Sequence, residues 1–295
     1  MGNVENIVKV PNHIVVTRHP GLEESRETSE QIVTALRERS VDCEAYSLND
    51  KKFRAQLREG RFDFMIVLGG DGTMLRAGKL GAPVGVPVMG INFGHFGFLM
   101  ETQRDEWGAR LDDLMAGNWE IDRRMMIHAE HYRDGQKLRS WEVLNDIVIA
   151  RALSMRPIHL FVHVNEIELA EYVADGLILS TATGSTSYSQ SVGGPILRPD
   201  MRNMLLTPIS PNLCVDRSLV LPDSDTIVFT LGGNVDALVS PDGYEGDALQ
   251  FGDQVRARAS EHSALFVRFG DKGIFYRNIT RYMQRNPTIK GDYRS

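Results

Sequence analysis

Phe62-Asp63-Phe64-Met65-Ile66-Val67-Leu68-Gly69-Gly70-Asp71-Gly72-Thr73-Met74-Leu75 runs from an apolar stretch, through three glycines, into a helix-like segment. Apolar residues nearly throughout 62–68 predict a strand covered on both faces. Thr73 to Leu80 reads as the helix that follows it. The same alternation surrounds this stretch. His13 to Thr17, Val41 to Ser47 and Val86 to Asn92 read as strands. Between them, Leu22 to Arg39 carries Ile32, Val33 and Leu36 at helical spacing, and Asp50 is placed to cap a helix running to Leu57. Alternating strands and helices imply a parallel sheet with right-handed crossovers. Residues 1–120 therefore read as an α/β domain.

Beyond about residue 120 the helical period fades. Strand-like runs take over at 141–149, 158–164, 176–180, 226–231 and 264–269, and Asp134-Gly135 marks a hairpin. Residues 121–268 read as a mostly β domain. In the last segment, 269–295, Ile279, Tyr282 and Met283 share one helical face, which suits a helix returning to the first domain.

Composition narrows the function classes. The 295 residues are 42% hydrophobic, enough for a sizeable core, and the net charge is −6. An acidic chain without a basic run is a poor partner for nucleic acid or an anionic membrane. Cys43 and Cys214 stand far apart, which excludes a disulfide framework and a CxxC zinc site. The first residues lack a secretory pattern, and no apolar run approaches the ~20 residues that span a bilayer. The expectation is a soluble cytoplasmic protein.

Five stretches carry polar or glycine-rich chemistry. Gly69-Gly70-Asp71-Gly72 lies where a parallel strand ends, the place where ligands bind in such sheets. Its glycines would let backbone amides approach phosphate. Asp71 would repel that phosphate unless it serves a metal ion or acts as a base toward a hydroxyl. From the tetrapeptide alone, a tight turn with Asp71 capping the helix is the simpler reading. Neither GxxxxGK[ST] nor GxGxxG is present. Asn92 to Phe98 interleaves glycines with aromatics, suiting either a flat ring or an interface turn. Asn145-Asp146 interrupts an apolar strand and needs hydrogen-bond partners from backbone or ligand. Asp175 to Tyr188 joins an apolar strand to a turn dense in hydroxyls, fit for sugar, amide or phosphate oxygens. It is not a GxSxG elbow. Ser240-Pro241-Asp242-Gly243 reads first as a turn. His159 and His163 share a strand face but lack a third metal ligand. Arg123, Arg124, Arg151 and Arg156 read mostly as surface charges.

In order, GGDGTML (69–75), INFGHFGF (91–98), ND (145–146), DGLILSTATGSTSYSQSVGGPIL (175–197) and SPDG (240–243) resemble the NAD kinase family. The resemblance covers nearly the whole chain. It implies an α/β N-terminal domain with a Rossmann-like parallel sheet and the GGDG loop, and a β-rich C-terminal domain. It implies phosphoryl transfer from ATP, or polyphosphate in some members, to the 2′-hydroxyl of the adenosine ribose of NAD, with a divalent cation such as Mg²⁺. Carried over position by position, Asp71 would be the general base and Gly72 would approach phosphate. Arg76 would contact phosphate, and Phe98 would line the nucleotide pocket. Asn145 and Asp146 would hold ribose and base. Asp175 with Thr186, Ser187, Tyr188, Ser189, Gln190 and Ser191 would grip the adenine and nicotinamide portions. Arg156 matches a position that often reaches the ligand from a neighbouring subunit, implying a homo-oligomer, a dimer or tetramer. This chain departs from the pattern in three places. It has Asn-Asp instead of Asn-Glu, TATGSTSY instead of TPTGSTAY, and Tyr244 where Gln often follows the late Asp-Gly. Two other readings compete. A diacylglycerol- or sphingosine-type lipid kinase shares the GGDG loop but not the stretch 180–191. A non-catalytic NAD(P) sensor would have no use for Asp71.

Overall fold

The computed structural model describes residues 10–94, 97–212, 215–233, 235–270, 273 and 275–279. The chain forms two units. One contains the residues up to Arg123 and those from Ala264 on; the other is Arg124–Ser263. The sequence-based boundaries at 120/121 and 268/269 lie a few residues away. Both breaks fall inside long strands, β6 (Glu120–Arg133) and β17 (Gln254–Arg268), so no turn residue marks either in the sequence.

In the first unit, strands and helices alternate: β1 (His13–Arg18), α1 (Glu24–Glu38), β2 (Asp42–Ser47), α2 (Lys51–Arg58), β3 (Phe64–Gly69), α3 (Asp71–Gly81) and β4 (Val88–Asn92). The sheet order is β2-β1-β3-β4, with every pair parallel. A short β5 (Thr102–Gln103) extends it beside β4, and α4 (Trp107–Met115) follows. All six β3 residues are buried, and so are Ile14, Val15 and Val16 on β1. Neighbours on a strand point to opposite faces, so both faces of this sheet are covered. Ile32, Val33 and Leu36 of α1 pack on one of those faces with Ile14, Val16, Phe64 and Ile66. Asp50 caps α2 by accepting the Lys52 and Phe53 N–H groups. In this strand order the chain reverses its winding between β1 and β3, which opens a crevice at their carboxyl ends.

The second unit is a sandwich of antiparallel pairs. One sheet runs β13 (Leu219–Pro222), β12 (Asn203–Ile209), β11 (Gly176–Thr181), β8 (Asp146–Arg151), β15 (Ala237–Pro241) and β16 (Asp247–Leu249). The other joins β10 (Ile167–Ala174), β9 (Ile158–Val164), β14 (Thr226–Gly232) and β17 to β6 and β7 (Gln136–Val143). One core fills the space between them, with Ile147, Leu177 and Leu179 from the first sheet meeting Leu160, Phe229 and Val255 from the second. Asp134 and Gly135 join β6 to β7 with φ of 49° and 77°, the backbone that a two-residue hairpin requires.

The single strand expected over 141–149 is instead two. β7 ends at Val143, β8 begins at Asp146, and Leu144-Asn145 form a bend between them. Residues 275–279 are helical, while Tyr282 and Met283 of the expected helix face lie outside the described residues. So do Cys214, His95 and Phe96.

A buried charge cluster closes one edge of the second unit. The Asp253 carboxylate, 2% exposed, accepts from His131 Nε2 at 2.8 Å, from Arg133 Nε and Nη2 at 2.9 and 2.7 Å, and from the Gln250 N–H at 2.9 Å. Burial raises its pKa, but the combined hydrogen bonds and the Arg133 charge outweigh that and hold it down at about 2. An unfolded aspartate titrates near ~3.9. This stabilisation is therefore complete above about pH 4 and is lost as the pH falls toward 2. Asp253→Asn is expected to destabilise the fold at pH 7 by about 2 kcal/mol and to flatten the acid limb of stability against pH. Urea unfolding at pH 7 and at pH 3 measures both effects.

Candidate functional site

The first candidate region is built where β3 stops. Gly70, in extended conformation, is the N-cap of α3, and its carbonyl accepts the Thr73 and Met74 N–H groups. The first amides of the helix, at Asp71 and Gly72, have no carbonyl one turn back to bond. Beside them, the end of β4 is fastened by the Phe93 N–H to the Gly69 carbonyl, at 2.8 Å. Between these ends lies a cavity of about 440 Å³, lined by Gly69, Gly70, Gly72, Thr73, Arg76, Phe93 and Gly94, with His19 and Leu22 from the segment after β1. That places it in the crevice the strand order opens, with a helix N-terminus to favour negative charge. Its size suits a small-molecule ligand.

Asp71 does not cap α3. Its Oδ2 accepts the Phe98 N–H at 2.6 Å and its Oδ1 the Leu99 N–H at 3.1 Å. The loop comes so close that a Cβ on Gly97 would stand 2.2 Å from the Asp71 carboxyl carbon. Each oxygen keeps a further lone pair, so the carboxylate is oriented yet still able to accept a proton. Arg76 lines the cavity one helical turn later and donates to Asn49 Oδ1. Phe93 supplies the aromatic wall of the cavity, whereas Phe98 gives Asp71 its backbone N–H. His19 was not visible as a site residue in the sequence. Its Nδ1 accepts the Gly21 N–H at 3.1 Å, which leaves the ring hydrogen of the neutral form on Nε2.

The second region lies in the other unit, at the bend between β7 and β8. The Thr181 N–H and hydroxyl, at the end of β11, donate to the Asn145 and Leu144 carbonyls at 2.8 and 2.6 Å. Thr181 Oγ1 in turn accepts the Gly184 N–H at 3.1 Å. A Cβ on Gly184 would stand 2.0 Å from the Asn145 carbonyl oxygen, so the hydroxyl-rich turn needs glycine to close on the bend. From the turn after β15, the Asp242 carboxylate accepts the N–H groups of Leu144, Asn145 and Asp146 at 3.1, 2.7 and 3.3 Å.

Asp146 is 4% exposed, and its Oδ2 is buried without a hydrogen-bond partner among the described residues. Burial and then the Asp242 charge push its carboxyl up to about 7, while the Ser187 hydroxyl and Tyr188 N–H pull it partly back. Asn145, Asp146, Ser187 and Tyr188 are thus brought together. Thr186 precedes Ser187 in the same turn, and its hydroxyl donates to the Thr183 carbonyl at 3.2 Å. Gln190 is half-buried and Ser191 exposed, whereas Ser189 is buried and tied to Thr207 at 2.9 Å.

Asp175 sits at the opposite end of β11, a strand length from Asp146. There it accepts from Arg151 Nε at 2.8 Å. Arg151 also donates to the Ser154 carbonyl, in the loop that carries Arg156. The second unit therefore presents two polar groupings, one at each end of the β8–β11 pair.

Two further expectations change here. Arg124 is not a surface charge but is 5% exposed, and it donates to Thr183 Oγ1 at 3.2 Å under the hydroxyl-rich turn. Arg151 is an internal tie rather than an isolated positive. His159 pairs with Glu171, and no cluster of three or more His, Cys, Asp or Glu side chains placed to hold a metal occurs among the described residues.

Two family models match the chain: the ATP-NAD kinase N-terminal domain over residues 8–119 and the ATP-NAD kinase C-terminal domain over 144–269. An NAD kinase from Heliobacterium modesticaldum is 38% identical over 235 residues, covering 79% of this chain and 82% of that protein. One from Symbiobacterium thermophilum is 41% identical over 210 residues, covering 71% and 74%. Among solved structures, yeast NADH kinase complexed with NADH superposes with a TM-score of 0.82 at 23% identity, covering 96% of this chain and 89% of that one. An NAD kinase from Archaeoglobus fulgidus in complex with ATP gives a TM-score of 0.73 at 23% identity, covering 92% and 98%. These two structural likenesses speak for the fold, and the sequence matches span both units and every stretch singled out above. The chain belongs to the NAD kinase family.

Proposed function

We propose that the protein transfers the terminal phosphoryl group of ATP to the 2′-hydroxyl of the adenosine ribose of NAD, giving NADP and ADP, with Asp71 as general base. The observation that carries this reading is the oriented Asp71 carboxylate at the head of α3, on the residue between Gly70 and Gly72, both of which line the cavity. The ribose oxygen bonds to the γ-phosphorus as the bond to the bridging oxygen breaks. ADP leaves, and the hydroxyl proton passes to Asp71. Positioning and charge neutralisation dominate such a transfer. The Gly72 amide and Arg76 would meet donor phosphates. A divalent cation such as Mg²⁺, when bound, would supply neutralisation of the donor's negative charge. Polyphosphate would meet the same amides and is the alternative donor.

In the second unit, Asn145, Asp146 and the Thr186–Ser191 turn would hold one part of the dinucleotide, and Asp175 with Arg156 the other. Two polar groupings a strand length apart suit an extended ligand. Arg156 directly follows Met155 in a loop where Leu153 and Met155 are 99% and 86% exposed, and this supports a homo-oligomer contact there. The reaction would take place in the cytoplasm; among the described residues no helix is long and apolar enough to cross a membrane.

NADP formation from purified protein, NAD, ATP and Mg²⁺ tests the activity, and its absence would refute the reading. Asp71→Asn is expected to lower kcat by at least about 10²-fold while leaving NAD binding largely intact. Near-normal turnover in that variant removes the base assignment. Gly97→Ala crowds the same carboxylate from behind. It is expected to lower kcat at least about tenfold with the KM for NAD nearly unchanged, because a displacement near 1 Å at a reacting group is costly.

A further inference from the structure

We propose that Asp242 is a positioning residue for the acceptor dinucleotide, holding the backbone of Leu144, Asn145 and Asp146 in the one shape that presents the last two side chains to NAD. The proposal rests on the function proposed above and adds a residue to it. Three observations carry it.

First, one carboxylate gathers three successive amides. Both Asp242 carboxylate oxygens are used, Oδ2 by the Leu144 N–H and Oδ1 by the Asn145 and Asp146 N–H groups. The backbone returns the bond, as the Asp242 N–H donates to the Asp146 carbonyl at 2.8 Å. Three successive amides converging on one anion form a concave donor array, and a carboxylate fills it with charge-assisted bonds.

Second, the backbone at Asp242 is in the left-handed region, with φ of 50°, and Gly243 follows at 70°. Aspartate tolerates this conformation better than most residues, but it still has a cost. The strained turn aims the carboxylate at the bend rather than at solvent.

Third, the bend is gripped from the other side by residues that cannot replace this function. Thr181 takes the Leu144 and Asn145 carbonyls, while Asp242 takes their amides. The chain would otherwise run on from β7 into β8 as one strand, in which neighbouring side chains point to opposite faces. The break is what frees Asn145 and Asp146 from that alternation. Asp242 also lies close enough to Asp146 for its negative charge to oppose ionisation there. Ser187 and Tyr188 face the same carboxyl and favour its charged form.

The test compares wild type with Asp242→Asn and Asp242→Gly. Both substitutes accept a positive φ; the first removes the charge and one acceptor, the second removes the whole side chain. Three readouts are taken: kcat and KM for NAD across pH 5.5–9, amide hydrogen exchange at residues 144–146, and the thermal midpoint. The expected result is a KM for NAD raised at least tenfold with kcat within about threefold. Exchange at 144–146 should be faster, and the inflection in KM against pH should move to lower pH. A residue that merely supports the fold would lower the thermal midpoint and leave KM and the pH profile of the folded fraction unchanged, and that result overturns the proposal. A fall in kcat with KM unchanged overturns it equally. Should one variant fail to fold, the other supplies all three readouts. If wild type itself forms no NADP, the function proposed above fails and takes this inference with it. Wild-type turnover with kinetically silent Asp242 variants defeats this inference alone.

Discussion

Asp71 Oδ2 accepts the Phe98 N–H at 2.6 Å and Oδ1 the Leu99 N–H at 3.1 Å, which ties the first turn of α3 to a loop twenty-odd residues downstream. The sheet creates the need for this tie. Parallel strands end together on one edge, and the chain leaving β4 must find partners for its amides without the next strand beside it. A carboxylate at the head of α3 meets that need and stays in a region of favourable helix dipole. The consequence is orientation. A free aspartate side chain samples several rotamers, whereas one held by two amides points one way. The same bonds leave each oxygen a lone pair, so the structural role and the chemical one do not compete for the same electrons.

The bend at Leu144-Asn145 solves a related problem with another carboxylate. Where β7 gives way to β8, three amides lose their ladder partners, and Asp242 takes all three. Here both carboxylate oxygens hold backbone, and the unsatisfied chemistry belongs to a neighbour. Asp146 is buried with one oxygen unpartnered among the described residues. A buried acceptor left without a donor costs about 1–3 kcal/mol. The tightly bonded frame around it, from Thr181, Gly184 and Asp242, sustains that cost.

Local signals in the sequence carried the first unit. The apolar run at 62–68, the glycines after it and the capping Asp50 each act within a few residues, and strand, turn and helix follow from them. Asp134-Gly135 was readable for the same reason, since its φ angles are a property of those two residues. What stayed hidden depends on distant partners. The strand expected over 141–149 breaks where its amides turn to Asp242, 96 to 98 residues away. Arg124 looks like any surface charge until Thr183, 59 residues on, is found beside it in the interior. The local pattern reads as a helix from Thr73 capped by Asp71, whereas Asp71 is the first residue of α3 and its carboxylate takes donors at 98 and 99, which no local pattern reveals. Among the candidate residues, those in one contiguous turn were legible as a group. The spacing of Asp175 from Asp146 was not, because it requires the β8–β11 register.

Glycine placement connects these cases. At Gly97 and Gly184 a Cβ would stand 2.2 Å from the Asp71 carboxyl carbon and 2.0 Å from the Asn145 carbonyl oxygen. Neither position requires a positive φ, so neither glycine is there for backbone freedom. Each is there because another polar group occupies the space a side chain would take. In one case the chain closes on a carboxylate, in the other on the bend that a carboxylate holds. The two units are built from different strand arrangements, yet each uses the same means: a missing Cβ lets backbone come within hydrogen-bonding range, and an aspartate then fixes the loop. Such sites tolerate little enlargement, since a methyl group would have to displace the very group that gives the site its geometry.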